Sequence, residues 1–495
     1  MHLIRSILLS LTFATVALAQ PNSVWSRRFA MEGVDLHHHQ AFAKDRQTGN
    51  LVFIRAISGP HATLTNYLTC VDPDGKIVSN SLVPGDQRMY DIQSLIQSDD
   101  GDFVMVGGSP QDESIMCEIL LLRMDLNGNL NSMDIFENPN SDHGLTVTQT
   151  ADGGFGLGGY FGVVDNIGYD ADFWLIRADS EGEPVYSSTF GEREIYEQCR
   201  GICETSDGGL LGVGNSGDKA YVIRTDSDGN LVWSTLIGIY RMRDIWSVIN
   251  STHNSYVVAG SIEESNAPVD TLRPRHYYDG WVVNLNDDGE IIWEYEAGGT
   301  LDDGFNSIIE SRDGAYVMSG YTYSDSDRVC SYWLCKISSE GEPVWQKSYF
   351  NNGHKSANAV LQLDNGGFAL IGNTEFNREA SCSVLLLATE PDDDGAGEAN
   401  SDKRIEFATY AILEKPYPNP FNAFTSIKYS LLEAGEIRLA VFNPSGSEVV
   451  ELFSGIQSVG EHIIQWTPND ICSGVYFIRL ETGIRSSTEK VLLIR

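Results

Sequence analysis

Residues 207–233 read DGGLLGVGNSGDKAYVIRTDSDGNLVW, and this stretch decides the fold. A D-G-G turn opens it, and an aliphatic run leads to Gly214-Asn215. A second run ends in the D-x-x-G turn Asp226–Gly229, and a third begins with Trp233 near its start. Runs this short, separated by glycine turns able to adopt positive φ, are β-strands joined as hairpins. A lone hairpin is marginal in water, so a unit of this kind must be repeated and packed against copies of itself.

The copies are present. The first landmark recurs as TGNLVFIRAIS from Thr48, DGDFVMVGGS from Asp100, DGGFGLGGY from Asp152, DGGLLGVGN from Asp207, HNSYVVAGS from His253, DGAYVMSGY from Asp313 and NGGFALIGN from Asn365, seven in all. The second landmark, a strand, a D-x-x-G turn and another strand, recurs six times, from Tyr67, Leu120, Trp174, Tyr221, Trp281 and Trp333. The residue four after its glycine is Tyr186, Trp233, Trp293 or Trp345 in four of those copies. These aromatics are expected to fill the groove between neighbouring blades. A period of about fifty residues built from short strands and glycine turns predicts an all-β fold, a seven-bladed β-propeller over residues 23–389. The seventh copy, SCSVLLLATE, stops where its outer strand should begin. SVWSRRFAMEG, around Trp25, matches that missing strand, so an N-terminal strand is expected to close the last blade and remove two open edges.

The two ends of the sequence concern its destination. Arg5 precedes an apolar run from Ile7 to Leu18, and Ala17-Leu18-Ala19 is a small-x-small site. Residues 1–19 thus read as a signal peptide cleaved between Ala19 and Gln20. No later run approaches the ~18 apolar residues of a membrane span, so the expected mature protein is soluble and lacks a transmembrane span. At the other end stand Pro418-Asn419-Pro420-Phe421-Asn422, then Ser473-Gly474-Val475-Tyr476-Phe477, then Lys490-Val491-Leu492-Leu493-Ile494-Arg495. These motifs closely resemble the type A C-terminal sorting domain of the type IX secretion system, a small immunoglobulin-like module. The resemblance implies that Pro418, Asn419, Pro420, Phe421, Asn422, Gly474, Tyr476, Lys490 and Arg495 carry the sorting signal. It also implies export through the periplasm to a secreted or cell-surface location, with the secretion machinery as partner. Alternating apolar residues in SIKYSLL, IRLAVFN and VYFIRL independently read as a β-sandwich over 405–495, after an acidic linker at 390–404.

The chain holds 33 basic and 69 acidic residues, a net charge of −36, which disfavours nucleic acid and anionic lipid as partners. Hydrophobic residues make up 42 %, enough for a packed core. Cys199 and Cys203, four apart on one strand, lie about 13 Å apart at ~3.3 Å per residue and do not pair with each other. The connectivity of the eight cysteines stays open.

Short uniform turns on one face of a propeller leave the variable connections on the other, where binding is usual. The loop 261–280 concentrates Arg273, Arg275, His276, Tyr277 and Tyr278. Arg241 and Arg243, Arg193 and Tyr196, and Tyr160 and Phe161 are expected on the same face. Flat aromatic faces suit sugar rings, and arginine forks suit carboxylate or sulfate. A polysaccharide or protein ligand is the expectation. Aligning the inner strands places His39, Asp91, His143, Gln198, Asp244, Gly304 and Ser356, with Asp303 adjacent, around the mouth of a channel. No metal is expected there, and no cofactor elsewhere. Calcium at the D-x-x-G turns is the alternative, against which stands the lack of a downstream Glu at the EF-hand interval. No nucleophile elbow, zinc helix or phosphate loop occurs, so no catalytic residue is assigned. The leading expectation is a non-enzymatic binding protein; a polysaccharide-degrading enzyme and a purely structural surface protein remain the other two readings.

Overall fold

The computed structural model describes residues 23–30, 40–58, 64–84, 91–110, 117–136, 142–165, 168–237, 243–263, 277–299, 301–323, 330–349, 355–375, 382–392, 411–413, 415–431, 435–444, 448–457, 460–468, 471–482 and 485–494. Every regular element among them is a β-strand. Among the described residues, no helix is long and apolar enough to cross a membrane. The signal segment with Ala19 and Gln20, most of the 390–404 linker, and Arg241, Arg273, Arg275, His276 and Arg495 lie outside the described residues. The chain separates into two compact units, Met1–Gly397 and Glu398–Arg495.

In the first unit the strands form a propeller-like array of antiparallel sets of four. In one set, Glu197–Glu204, Leu210–Ser216, Lys219–Thr225 and Leu231–Ile237 lie side by side in chain order. Five such sheets stand separately, and an eight-stranded sheet joins two more sets through parallel pairing of Gln40 with Ser94 and Ala41 with Leu95. The strand Ser23–Ala30 pairs antiparallel with Cys382–Thr389, bringing Trp25 opposite Ala388. First strands of successive sets lie against one another, and Gln40–Lys44 lies against Lys355–Gln362.

The core sits between sheets. One cluster combines Leu211, Val213 and Val222 of one set with Tyr256, Val258 and Trp281 of the next, all nearly excluded from water. Where an aromatic stands four residues after the turn glycine, it wedges against the following set. A Cβ on Gly229 would meet the Tyr186 ring at 2.5 Å, and one on Gly341 would meet Trp293 at 2.8 Å. The indole of Trp233 donates to Asp287 O at 2.9 Å, and that of Trp25 donates to Pro73 O at 2.6 Å, the same place in another copy of the turn. The repeated Trp is thus explained by what it covers and what it donates to.

On the side of the D-G-G turns, the ends of five first strands hold the preceding set through a side-chain oxygen. Gln97 accepts from Arg46 N at 2.7 Å, Gln149 from Asp99 N at 2.9 Å, Glu204 from Ala151 N at 2.7 Å, Glu310 from Thr252 N at 2.9 Å and Gln362 from Arg312 N at 2.9 Å. The turn acids are similarly occupied. Asp226 Oδ1 accepts from Asp228 N at 3.0 Å and Asn230 N at 2.9 Å, closing the hairpin that positive φ at Gly229 permits.

Among the described residues, six first strands carry a bulge. The register slips between Ile92 and Ser94, Gly144 and Thr146, Cys199 and Gly201, Ile245 and Ser247, Phe305 and Ser307, and Ala357 and Ala359. The residues left over are Gln93, Leu145, Arg200, Trp246, Asn306 and Asn358. A bulge bends the strand and re-aims a side chain, and here it does so at one level in each copy. It also explains the glycine that ends the first landmark. A Cβ on Gly214 would sit 1.9 Å from Gln198 O, and one on Gly260 would sit 1.8 Å from Asp244 O. Gly260→Ala is therefore expected to cost about 1–3 kcal/mol, the range for forcing extra volume into a packed site. Urea unfolding should show the midpoint falling at constant slope; an unchanged midpoint would mean that the bulge relaxes freely.

The second unit is a sandwich. Ala411–Leu413, Thr425–Leu431 and Gly460–Trp466 form one sheet; Glu448–Gln457, Gly435–Phe442, Gly474–Thr482 and Arg485–Leu493 form the other. Phe421, Ile427, Tyr429, Trp466, Tyr476 and Ile478 are among the buried residues of its core.

Candidate functional site

The residues aligned in sequence at the channel mouth stand two positions before each bulge. Asp91 pairs with Gly108, His143 with Tyr160, Gln198 with Asn215, Asp244 with Ser261, Gly304 with Tyr321 and Ser356 with Asn373.

An arc of side chains runs across four consecutive copies. Asp91 Oδ2 accepts from Gln93 Nε2 at 2.7 Å and lies 3.4 Å from His143 Nε2. The His143 ring lies against Gly108, where a Cβ would come within 2.5 Å of it. That ring stacks on Tyr160 with centroids 5.9 Å apart and planes 9° from parallel, and Tyr160 meets Tyr196 at 5.6 Å. Beyond Tyr196, the bulge residues Arg200 and Trp246 stack, with the guanidinium carbon 3.6 Å from the ring centroid. With its amide oxygen turned towards the arginine, Gln198 accepts from Arg200 Nε at 3.0 Å and Nη2 at 2.5 Å. Asp244 is engaged by the Asn215 amide.

Arg200, which is partly buried, differs from the buried cations of this unit. Arg177 has Asp152 at 2.9 Å and Glu204 at 3.3 Å, Arg224 has Asp207 at 3.0 Å and Asp287 at 3.2 Å, and Lys336 has Asp313 at 2.6 Å and also Asp392. Arg200 has an amide oxygen and an indole face, while its Nη1 is buried without a hydrogen bond. Burial lowers its pKa from the ordinary value, and the charge on Asp244 opposes that. A guanidinium held, among the described residues, without a carboxylate at ion-pair distance is costly to the fold and available to an incoming polar group.

Of the residues singled out in the sequence, Tyr160 and Tyr196 are brought together in this arc. Arg193 is exposed in the turn that precedes Tyr196. Tyr277 is half-buried, as is Tyr278, whose N donates to Asp302 Oδ1 at 3.3 Å. Burial, then the charges of Asp244, Glu263 and Asp302, raise the pKa of the Tyr278 phenol. Phe161 lies edge-on to Trp174 at 5.4 Å and packs on the hydrophobic cluster around it. Arg243 opens a strand, and its side chain lies outside the described residues. Asp303 is fully buried, accepting from Gly299 N at 2.7 Å and Tyr323 N at 3.0 Å. Among the described residues, no group of three or more His, Cys, Asp or Glu side chains is placed to hold a metal ion. Cys199 and Cys203 are buried free thiols.

Sequence alignment missed Gln93, Arg200 and Trp246, because it aligned the strands two positions earlier and gave no sign of the bulge. The recurring glycine opposite it was the available signal.

The comparisons with known proteins add the following. Residues 415–494 match the family described as the secretion system C-terminal sorting domain. This tail indicates export by the type IX secretion system and a location outside the cell, secreted or at its surface. No curated protein matches the chain. Among solved structures, PorZ, a surface component of the type-IX secretion system of Porphyromonas gingivalis, is 12 % identical over 90 % of this chain and 73 % of its own, with a TM-score of 0.28. An alpha-L-arabinanase of Penicillium chrysogenum is 10 % identical over 74 % of this chain and 98 % of its own, with a TM-score of 0.40. The Pan2 WD40 domain of Neurospora crassa is 9 % identical over 74 % and 97 %, with a TM-score of 0.42.

Proposed function

We propose that residues 23–389 form a seven-bladed propeller closed by Ser23–Ala30, and that it is a non-enzymatic binding module for a glycan or protein met outside the cell. The closed ring is supported by the pairing of Ser23–Ala30 with Cys382–Thr389 and by contact between the first and last of the inner strands. The observation that carries the binding reading is the arc from Asp91 through His143, Tyr160 and Tyr196 to Arg200 and Trp246. It combines aromatic faces, which suit sugar rings or apolar side chains, with a guanidinium that lacks a carboxylate partner at ion-pair distance among the described residues. Tyr277, Tyr278 and Arg193 would extend this face, and Arg273, Arg275 and His276, which lie outside the described residues, are proposed as further ligand contacts.

The test is a glycan array of neutral and acidic polysaccharides probed with the purified full chain. The expected outcome is selective, saturable binding that weakens about tenfold or more in Tyr196→Ala and Trp246→Ala, ~1.4 kcal/mol per decade of affinity. Arg200→Gln should reduce binding of acidic glycans more than neutral ones. Turnover of a bound sugar would instead favour the polysaccharide-degrading reading, and silence across the array together with no protein ligand would favour a structural role.

A further inference from the structure

The sorting tail contains two kinds of residue at and beside its motifs, and its geometry separates them. The strand Arg485–Leu493 is the edge of its sheet and pairs along its length with Gly474–Thr482. An exposed edge of this kind invites pairing with other chains. Here part of the outer edge is occupied by the Pro418–Phe421 segment. Asn419 uses its side-chain amide as a strand would use its backbone, donating from Nδ2 to Lys490 O at 2.8 Å and accepting from Leu492 N at Oδ1 at 2.9 Å. Two residues on, Phe421 N donates to Leu492 O at 2.9 Å and Phe421 O accepts from Ile494 N at 2.8 Å.

The segment is fixed from beneath as well. Phe421, 3 % exposed, sits 5.3 Å from the Trp466 ring, which meets Tyr476 at 5.6 Å. Tyr476 donates its hydroxyl to Cys472 O at 2.8 Å, and Thr425 donates its own to Pro418 O at 2.8 Å. Tyr417 and Ser426 exchange backbone hydrogen bonds at 3.0 and 2.9 Å. Asn419, Phe421 and Tyr476 therefore hold the corner together.

What the corner displays is different. Tyr417 is 80 % exposed, Ile494 50 % and Phe424 44 %, and the Lys490 side chain is also in water. Apolar side chains this exposed, on or beside the turn hydrogen-bonded to the strand Arg485–Leu493 and just after that strand, have no part in the sandwich core. Two are aromatic, the residue type enriched at protein interfaces.

We propose that this corner is the surface by which the export machinery recognises the chain. Tyr417, Phe424 and Ile494 enter an apolar groove of a protein partner, and Lys490 meets a carboxylate at its rim. Asn419, Phe421 and Tyr476 serve recognition only by positioning that surface. The inference rests on the export role of the tail.

The experiment expresses the full chain in a bacterium with a type IX secretion system and measures the protein in periplasm and exterior, with limited proteolysis as the readout of a folded tail. The triple variant Tyr417→Ser, Phe424→Ser, Ile494→Ser is expected to keep a protease-resistant tail yet lose at least tenfold of its exterior fraction. Val185→Ser, which removes a 60 % exposed apolar residue from the other unit, is expected to be exported normally. Asn419→Ala is expected to loosen the tail and reduce export together. Wild-type export of the triple variant, or export lost only in step with loss of protease resistance, overturns the proposal. A chain lacking 398–495 separates the two levels: if it is still exported, the export role of the tail itself fails.

Discussion

Lys336→Met is expected to lower the unfolding free energy of the repeat unit by about 3–5 kcal/mol, the range for removing one partner of a buried ion pair. The Lys336 side chain is 4 % exposed, and its ammonium lies 2.6 Å from Asp313 Oδ2 and also bonds to Asp392, whose side chain is 7 % exposed. Methionine approximates the stem but leaves the Asp392 carboxylate with the Trp345 indole at 3.0 Å and no cation. Chemical denaturation of both proteins measures the loss. A difference below ~1 kcal/mol would mean that the pair behaves like an exposed one.

The same pair gives the acid response a sign. Burial alone would raise the Asp313 pKa, but hydrogen bonds from Lys336 and Ser311 outweigh it and bring the carboxyl from 3.8 to about 2. Asp152, held by the Thr150 hydroxyl and Gly154 N and paired with Arg177, also falls to about 2. A depressed carboxyl contributes stability that is fully present above its unfolded pKa and is lost as pH falls through the folded one. Wild-type stability should therefore fall between about pH 4 and pH 2, and Lys336→Met should flatten the part of that fall due to Asp313.

The second large effect concerns destination. Removing residues 490–495 should abolish export and leave the protein in the periplasm, as fractionation of cells carrying the secretion system would show. The deletion removes Val491 and Leu493, both buried in the sandwich core, and the backbone groups to which Asn419 and Phe421 dock. Both the core of the tail and its displayed corner would be damaged. Export at the wild-type level would contradict the sorting role.

The architecture was legible where composition and turn chemistry coincide. Glycine in the D-x-x-G turns, the aromatic four residues later and the orphan strand around Trp25 each have a local signature, and Trp25 makes the same kind of contact to Pro73 as Trp233 makes to Asp287. The site was legible only in part. Tyr160 and Tyr196 stood out as aromatics in variable connections, whereas Arg200 lies inside the strand Glu197–Glu204 and reads as an ordinary residue until the bulge re-aims it. Register is a property of two strands at once, so a slip of one residue leaves its trace on the partner, as the glycine at 214 or 260, and not on the residue it redirects. The parallel pairs that join the first two sets, Gln40 with Ser94 and Ala41 with Leu95, had no sequence signature at all.

The pairing of Ser23–Ala30 with Cys382–Thr389 also sets an order of events in time. Every other four-stranded set of the repeat unit is made from strands close in sequence, whereas this one joins positions on the order of 360 residues apart, with the loop-closure entropy that such a separation carries. Contacts of that range form slowly. The strand at the front of the repeat unit is synthesised before its partner and must wait for it, so two unpaired edges persist until the last set is complete. The same step that completes the last set also covers the two edges that had been open to pairing with other chains.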